Sequence, residues 1–143
     1  MTTRIDYDTV SLPRDEEGPV FEHPWQAQVF SLTLHLHQSG LFAWSDWVQI
    51  FSDEIKASPA LPDESVNEAY YRQWTAALEK MVASLDLAGA ADVAHRTETW
   101  RQAYLNTPHG QPVTLLNADC PPAHAHDHAP TRAPVTISPA FAD

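Results

Sequence analysis

Large apolar side chains recur with a helical period between residues 21 and 82, and prolines and glycines punctuate them. From Pro24 to about Ser39, Trp25, Val29, Leu32 and Leu36 fall on one helical face. Pro24 suits a first turn, where its missing N–H would be unpaired in any case. Gly40 stands just past the last apolar position, the left-handed stop common at helix C-termini. A second helix is expected from Trp44 to about Lys56, with Trp47, Val48, Phe51 and Ile55 inward. Ala43 takes its cap position without a side-chain acceptor, so that cap depends on backbone or water. Ser58-Pro-Ala-Leu-Pro62 forms a stiff loop after it. Ser65-Val-Asn-Glu68 is a capping box, and it opens a third helix striped by Tyr70, Tyr71, Trp74, Leu78, Met81 and Val82. Asp86 to Gly89 breaks that stripe. A fourth, weakly apolar helix from about Ala91 to Leu105 carries Val93, Trp100 and Tyr104, with one face in water. The pattern predicts an all-α fold, a small bundle of about four helices.

The ends differ from the middle. Residues 1–20 are acidic and contain proline, and they read as a flexible segment ahead of a helical domain over 21–116. From 117 to 143 five prolines and few large apolar residues cannot offset the entropy of ordering, so a disordered tail is expected. This tail holds Cys120, His124, His126 and His128, with Asp119 and Asp127 interleaved. Thiolate and imidazole suit cobalt, nickel, copper or zinc, and His-x-His-x-His puts three rings on one side of an extended segment. A solvated low-complexity linker is the other reading of the same residues. His35 and His37 lie about 200° apart on a helix and do not chelate one ion together.

Composition narrows the function classes. A chain of 143 residues suits one domain with a modest core. The net charge of −11 disfavours nucleic acid and anionic membrane surfaces, which need clustered Lys and Arg. No apolar run approaches the ~20 residues of a membrane span. The acidic N-terminus lacks a secretory pattern, so a cytoplasmic location is expected. One cysteine rules out an internal disulfide framework. Nothing resembles a nucleophile–base pair or a phosphate-cradling glycine loop. Glu54 and Glu79 are expected to be solvated. Consecutive Tyr70 and Tyr71 point about 100° apart, so one should join Trp74 inside and the other face a partner.

Three segments carry a family resemblance. Pro24-Trp25-Gln26-Ala27, Leu36-His37 with Gly40-x-Phe42-x-Trp44, and Tyr70-Tyr71-x-x-Trp74 resemble the small nitrile hydratase accessory (activator) proteins. They are also similar to the helical N-terminal half of the nitrile hydratase beta subunit and to the related thiocyanate hydrolase subunit. The tyrosine motif is common to all of these. The first two segments, and Thr107-Pro-His-Gly-Gln-Pro112, look closer to the accessory branch. The likeness covers about Phe21 to Val113.

In that family the catalytic metal sits in a Cys-x-x-Cys-Ser-Cys claw of the alpha subunit, a motif this sequence lacks. The beta subunit adds arginines that bond the oxidised cysteines, one near the end of its second helix. Lys56 is the nearest basic residue in this sequence, and lysine lacks arginine's bidentate fork. The beta subunit's C-terminal barrel half has no counterpart here. The resemblance therefore implies a non-enzymatic accessory protein that binds alpha in place of beta, promotes cobalt insertion and then exchanges for beta, a process termed self-subunit swapping. Docking would fall to Trp25, Phe30, Trp44, Trp47, Tyr70 and Tyr71. No cofactor would be tightly bound, with cobalt held only transiently. The alternatives are a non-catalytic, beta-like structural subunit of a three-component nitrile hydratase or thiocyanate hydrolase, and a metal buffer built on the histidine tail.

Overall fold

The computed structural model describes residues 5–120. Four helices follow in order: α1 (Pro24–Gln38), α2 (Trp44–Ala57), α3 (Val66–Ser84) and α4 (Ala90–Asn106). Short 3-10 turns lie at Tyr7–Val10 and Leu115–Asp119. Among the described residues there is no strand, only an isolated bridge between Arg14 and Pro19. The all-α architecture with four helices is as the pattern predicts. The chain divides into two compact units, Met1–Ala94 and His95–Asp143, so α4 begins in one and continues in the other.

In the first unit α3 packs along α2 and against α1. Its centre is aromatic: Trp74 meets Trp47 at 4.7 Å and Phe51 at 5.1 Å between ring centroids. Rings of this size each withdraw about 150–250 Å² from water, which lets a short chain build a stable core. The helix ends follow local chemistry. Gly40 has φ +80°, and Gly40 N–H and Leu41 N–H donate back to His37 O and Leu36 O, satisfying the last carbonyls of α1. Ser65 Oγ accepts from Glu68 N–H while Glu68 Oε2 accepts from Ser65 N–H. Ala43 supplies no side-chain cap, and Asp46 Oδ2 accepts its N–H instead.

Two expected faces are revised. In α1 the buried stripe is Gln26, Phe30 and Thr33, while Trp25 and Leu32 are exposed and Val29 and Leu36 only partly covered. The helix is turned by about one residue, because two polar side chains find bonds inside. Gln26 Oε1 accepts from the N–H groups of Glu22 and His23, and Thr33 Oγ1 accepts from the Trp74 indole. In α2 Ile55 is exposed and Glu54 is buried, its carboxylate paired with Lys80 of α3. The expectation that Glu54 is solvated fails for that reason, whereas Glu79 is exposed.

Tyr70 and Tyr71 are both buried, and their rings meet edge to face at 5.1 Å. The segment ahead of α1 makes this possible by adding a second apolar wall. Tyr70 donates its hydroxyl to Val10 O at 2.9 Å, and Tyr71 packs on Phe21. Val10 and Leu12 are themselves buried, so these two residues of the segment join the core layer, while most of the segment around them is exposed.

In the second unit Asn106 Nδ2 donates to the carbonyls of Asn117 and Ala118, and Asn117 Nδ2 donates to Thr107 Oγ1. These bonds fasten the closing 3-10 turn across the position where a tail was expected to begin. Ala103 is buried, whereas Trp100 and Tyr104 are exposed. Glu98 sits beside Arg101 and Gln102, whose side-chain hydrogen bonds hold its carboxyl down at about 2.

Candidate docking surface

The six aromatics expected to meet a partner separate into two groups. Phe30, Trp47, Tyr70 and Tyr71 are buried and spend their surface on one another and on Trp74. Trp25 remains 43% exposed, and Leu32, two turns along α1, is 48% exposed. Trp44 is half-buried, with its indole N–H donating to Thr9 Oγ1 at 3.0 Å. The outward apolar stripe of α1 is therefore Trp25 with Leu32, the two positions displaced when Gln26 and Thr33 turned inward.

One histidine ties the turn between α1 and α2. His37 Nδ1 donates to Phe42 O at 3.0 Å, which sets its tautomer, and its ring packs on Phe42 and Trp44. This histidine serves packing, while His35 is exposed on the same helix.

The loop after α2 is organised by a residue that sequence reasoning did not single out. Arg72 of α3 donates to Glu64 Oε1 at 2.5 Å, Glu64 Oε2 at 2.9 Å, Ser58 Oγ at 2.7 Å and Pro59 O at 3.1 Å. The Arg72 bond, reinforced by Leu61 N–H, holds the Glu64 carboxyl below its ordinary value. The same bond raises the guanidinium in turn. Arg72 and Glu64 are separated by more than a helical turn in sequence, so no i,i+4 pattern announces the pair. Lys56, on the last turn of α2, is exposed.

Beside the first 3-10 turn lies an open, apolar groove of about 420 Å³ lined by Val10, Phe51, Ile55, Pro59, Val66 and Tyr70. Burial drives both tyrosine hydroxyls up, Tyr71 to about 12 and Tyr70 further with the added charge of its neighbour. Neither exchanges a proton near neutral pH. Cys120 is exposed at the end of the second 3-10 turn, and His124, His126 and His128 lie outside the described residues.

Residues 4–128 match the family model for the nitrile hydratase beta subunit, N-terminal. The chain belongs to that family. No curated protein and no solved structure matches it. The match begins ahead of the first 3-10 turn and runs past the last helix through the histidine cluster, so this nitrile hydratase beta N-terminal domain includes the wall that buries Tyr70. No helix among its described residues is long and apolar enough to cross a membrane.

Proposed function

We propose that this nitrile hydratase beta-type domain is a cytoplasmic accessory protein that holds the alpha subunit during cobalt insertion and is then replaced by beta. The observation that supports it most is the engagement of Arg72. Four hydrogen bonds tie its guanidinium to the loop after α2. A beta subunit offers an arginine to the oxidised cysteines near the end of its second helix; this chain presents Lys56 there. A domain that docks without contributing that fork suits a holder better than a catalytic partner. The exposed Trp25–Leu32 stripe supplies the apolar anchor, since an aromatic with a polar handle is favoured at interface centres. Cys120, His124, His126 and His128 would act as transient cobalt donors.

Native mass spectrometry of the chain co-expressed with its alpha subunit, before and after addition of beta, tests the proposal. An alpha complex that beta displaces, leaving metal on alpha, is expected. Retention of the chain in active enzyme beside the other subunits would make it a structural subunit instead. Replacing the three tail histidines with alanine should slow cobalt loading while leaving the complex intact.

A further inference from the structure

Three metal-ligating side chains converge where the entry to α1 meets the start of α3. A carboxylate oxygen of Glu22, an imidazole nitrogen of His23 and a carboxylate oxygen of Glu68 lie within 4.8 Å of one another. We propose that these residues form a binding site for a divalent transition-metal ion.

The fold supplies each donor by a separate constraint. Glu22 and His23 immediately precede Pro24, and both of their N–H groups are clamped by Gln26 Oε1, at 2.7 and 3.2 Å. Glu68 is fixed by the capping box of α3. Ser65 orients both carboxylates: its N–H donates to Glu68 Oε2 at 2.9 Å and its hydroxyl to Glu22 Oε2 at 3.1 Å. The second oxygen of each carboxylate is left for an ion. Outer hydrogen bonds of this kind set the direction of metal ligands.

Two buried amides hold the backbone that carries these donors, and each keeps one atom without a partner. Asn67, only 7% exposed, donates through Nδ2 to Val20 O in the segment leading to Glu22, and its Oδ1 has no partner among the described residues. Gln26 is fully buried, and its Nε2 likewise has none, although its other atom grips the backbone of Glu22 and His23. Buried amides are normally satisfied on both atoms.

The donor set selects the ion. One imidazole with two carboxylates suits zinc, cobalt(II), nickel or manganese, whereas calcium prefers oxygen alone and copper(I) prefers sulfur. Donors about 2.0–2.2 Å from a tetrahedral ion stand about 3.4 Å apart. Glu22 and His23 are exposed, so their side chains rotate to close that distance. Two full negative charges exceed the roughly +0.5 that each helix N-terminus presents. Three protein ligands leave a position open, which makes an exchangeable site rather than a closed structural one. The proposal is independent of docking on the alpha subunit and of the tail donors.

The test uses the full chain carrying Cys120→Ser and alanine at His124, His126 and His128, which removes the tail from the measurement. Zinc is titrated calorimetrically, and cobalt(II) by its visible ligand-field absorption. One equivalent of either metal should bind, and zinc should raise the thermal unfolding midpoint. Glu22→Gln and His23→Asn should each weaken binding by at least about tenfold and abolish that rise. Glu68→Gln keeps the capping box, which accepts glutamine, and should weaken zinc in the same way. Circular dichroism checks that each variant is folded. An absence of zinc binding in the parent, or binding unchanged by Glu22→Gln and His23→Asn, would overturn the proposal.

Discussion

Trp74 donates its indole N–H to Thr33 Oγ1 at 2.8 Å, joining α3 to α1 through two side chains with no solvent exposure. Thr33 donates its own hydroxyl to Val29 O at 3.0 Å, so both donors of the pair are placed. Thr33→Val keeps the shape and orphans the indole, at a cost of about 1–3 kcal/mol. In a Trp74→Phe background the same change should cost much less. Urea unfolding of the four proteins in this cycle measures the coupling, and additivity would show that the bond contributes nothing.

The Glu54–Lys80 pair is asymmetric, its side chains being 7% and 57% exposed. Lys80→Met strands the buried carboxylate. The solvated ammonium makes the pair worth less than a fully buried one, so a loss of about 1–2 kcal/mol is expected. Equilibrium unfolding at low and high salt checks this, since the difference between the proteins should shrink as salt rises.

Alkaline stability follows from the tyrosines. Burial raises both hydroxyls, Tyr71 to about 12, so the folded protein keeps protons that the unfolded chain releases near pH 10. Their contribution is fully present below pH ~10 and is lost as pH rises through the folded values. With Tyr7 and Tyr104 replaced by Phe, so that Tyr70 and Tyr71 alone report, tyrosinate absorbance and circular dichroism should therefore change together above about pH 10. Two tyrosines ionising near pH 10 in a still-folded chain would contradict the burial.

Gly40→Ala should cost about 1 kcal/mol, from the backbone alone. Its φ of +80° disfavours any side chain, although an added Cβ would meet nothing within 4 Å. Thermal unfolding decides whether the strain is felt.

Trp47→Ala should cost about 3–5 kcal/mol, because a fully buried ring is removed. Trp25→Ala should cost less than about 1 kcal/mol in stability yet weaken capture by the alpha subunit by about 2 kcal/mol or more. Parallel unfolding and pull-down titrations separate the two roles.

Helix number, helix ends and the aromatic centre were legible because they rest on short-range signals: Pro24, Gly40, the Ser65–Glu68 box and a periodic stripe. What escaped was long-range polar pairing. Nothing local marks Thr33 as the acceptor of Trp74, Glu54 as the partner of Lys80, or Arg72 as the anchor of the loop after α2. Hydrophobicity placed Trp25, Leu32 and Ile55 inside, because an apolar period does not register that Gln26, Thr33 and Glu54 are satisfied there. Tyr70 and Tyr71 were separated on the premise of a single core wall, and the Val10–Leu12 segment supplies the second. Of the aromatics expected at the docking surface, Phe30, Trp47, Tyr70 and Tyr71 are buried.

The bond from Tyr70 to Val10 spans 60 residues of sequence. Chain closure over that separation is slow compared with winding a helix, and it cannot begin on the ribosome until α3 has emerged. Val10, although synthesised early, must wait for this partner. Until that bond forms, Phe51, and Tyr70 once it has emerged, line a groove without its Val10 wall, leaving the nascent chain sticky there.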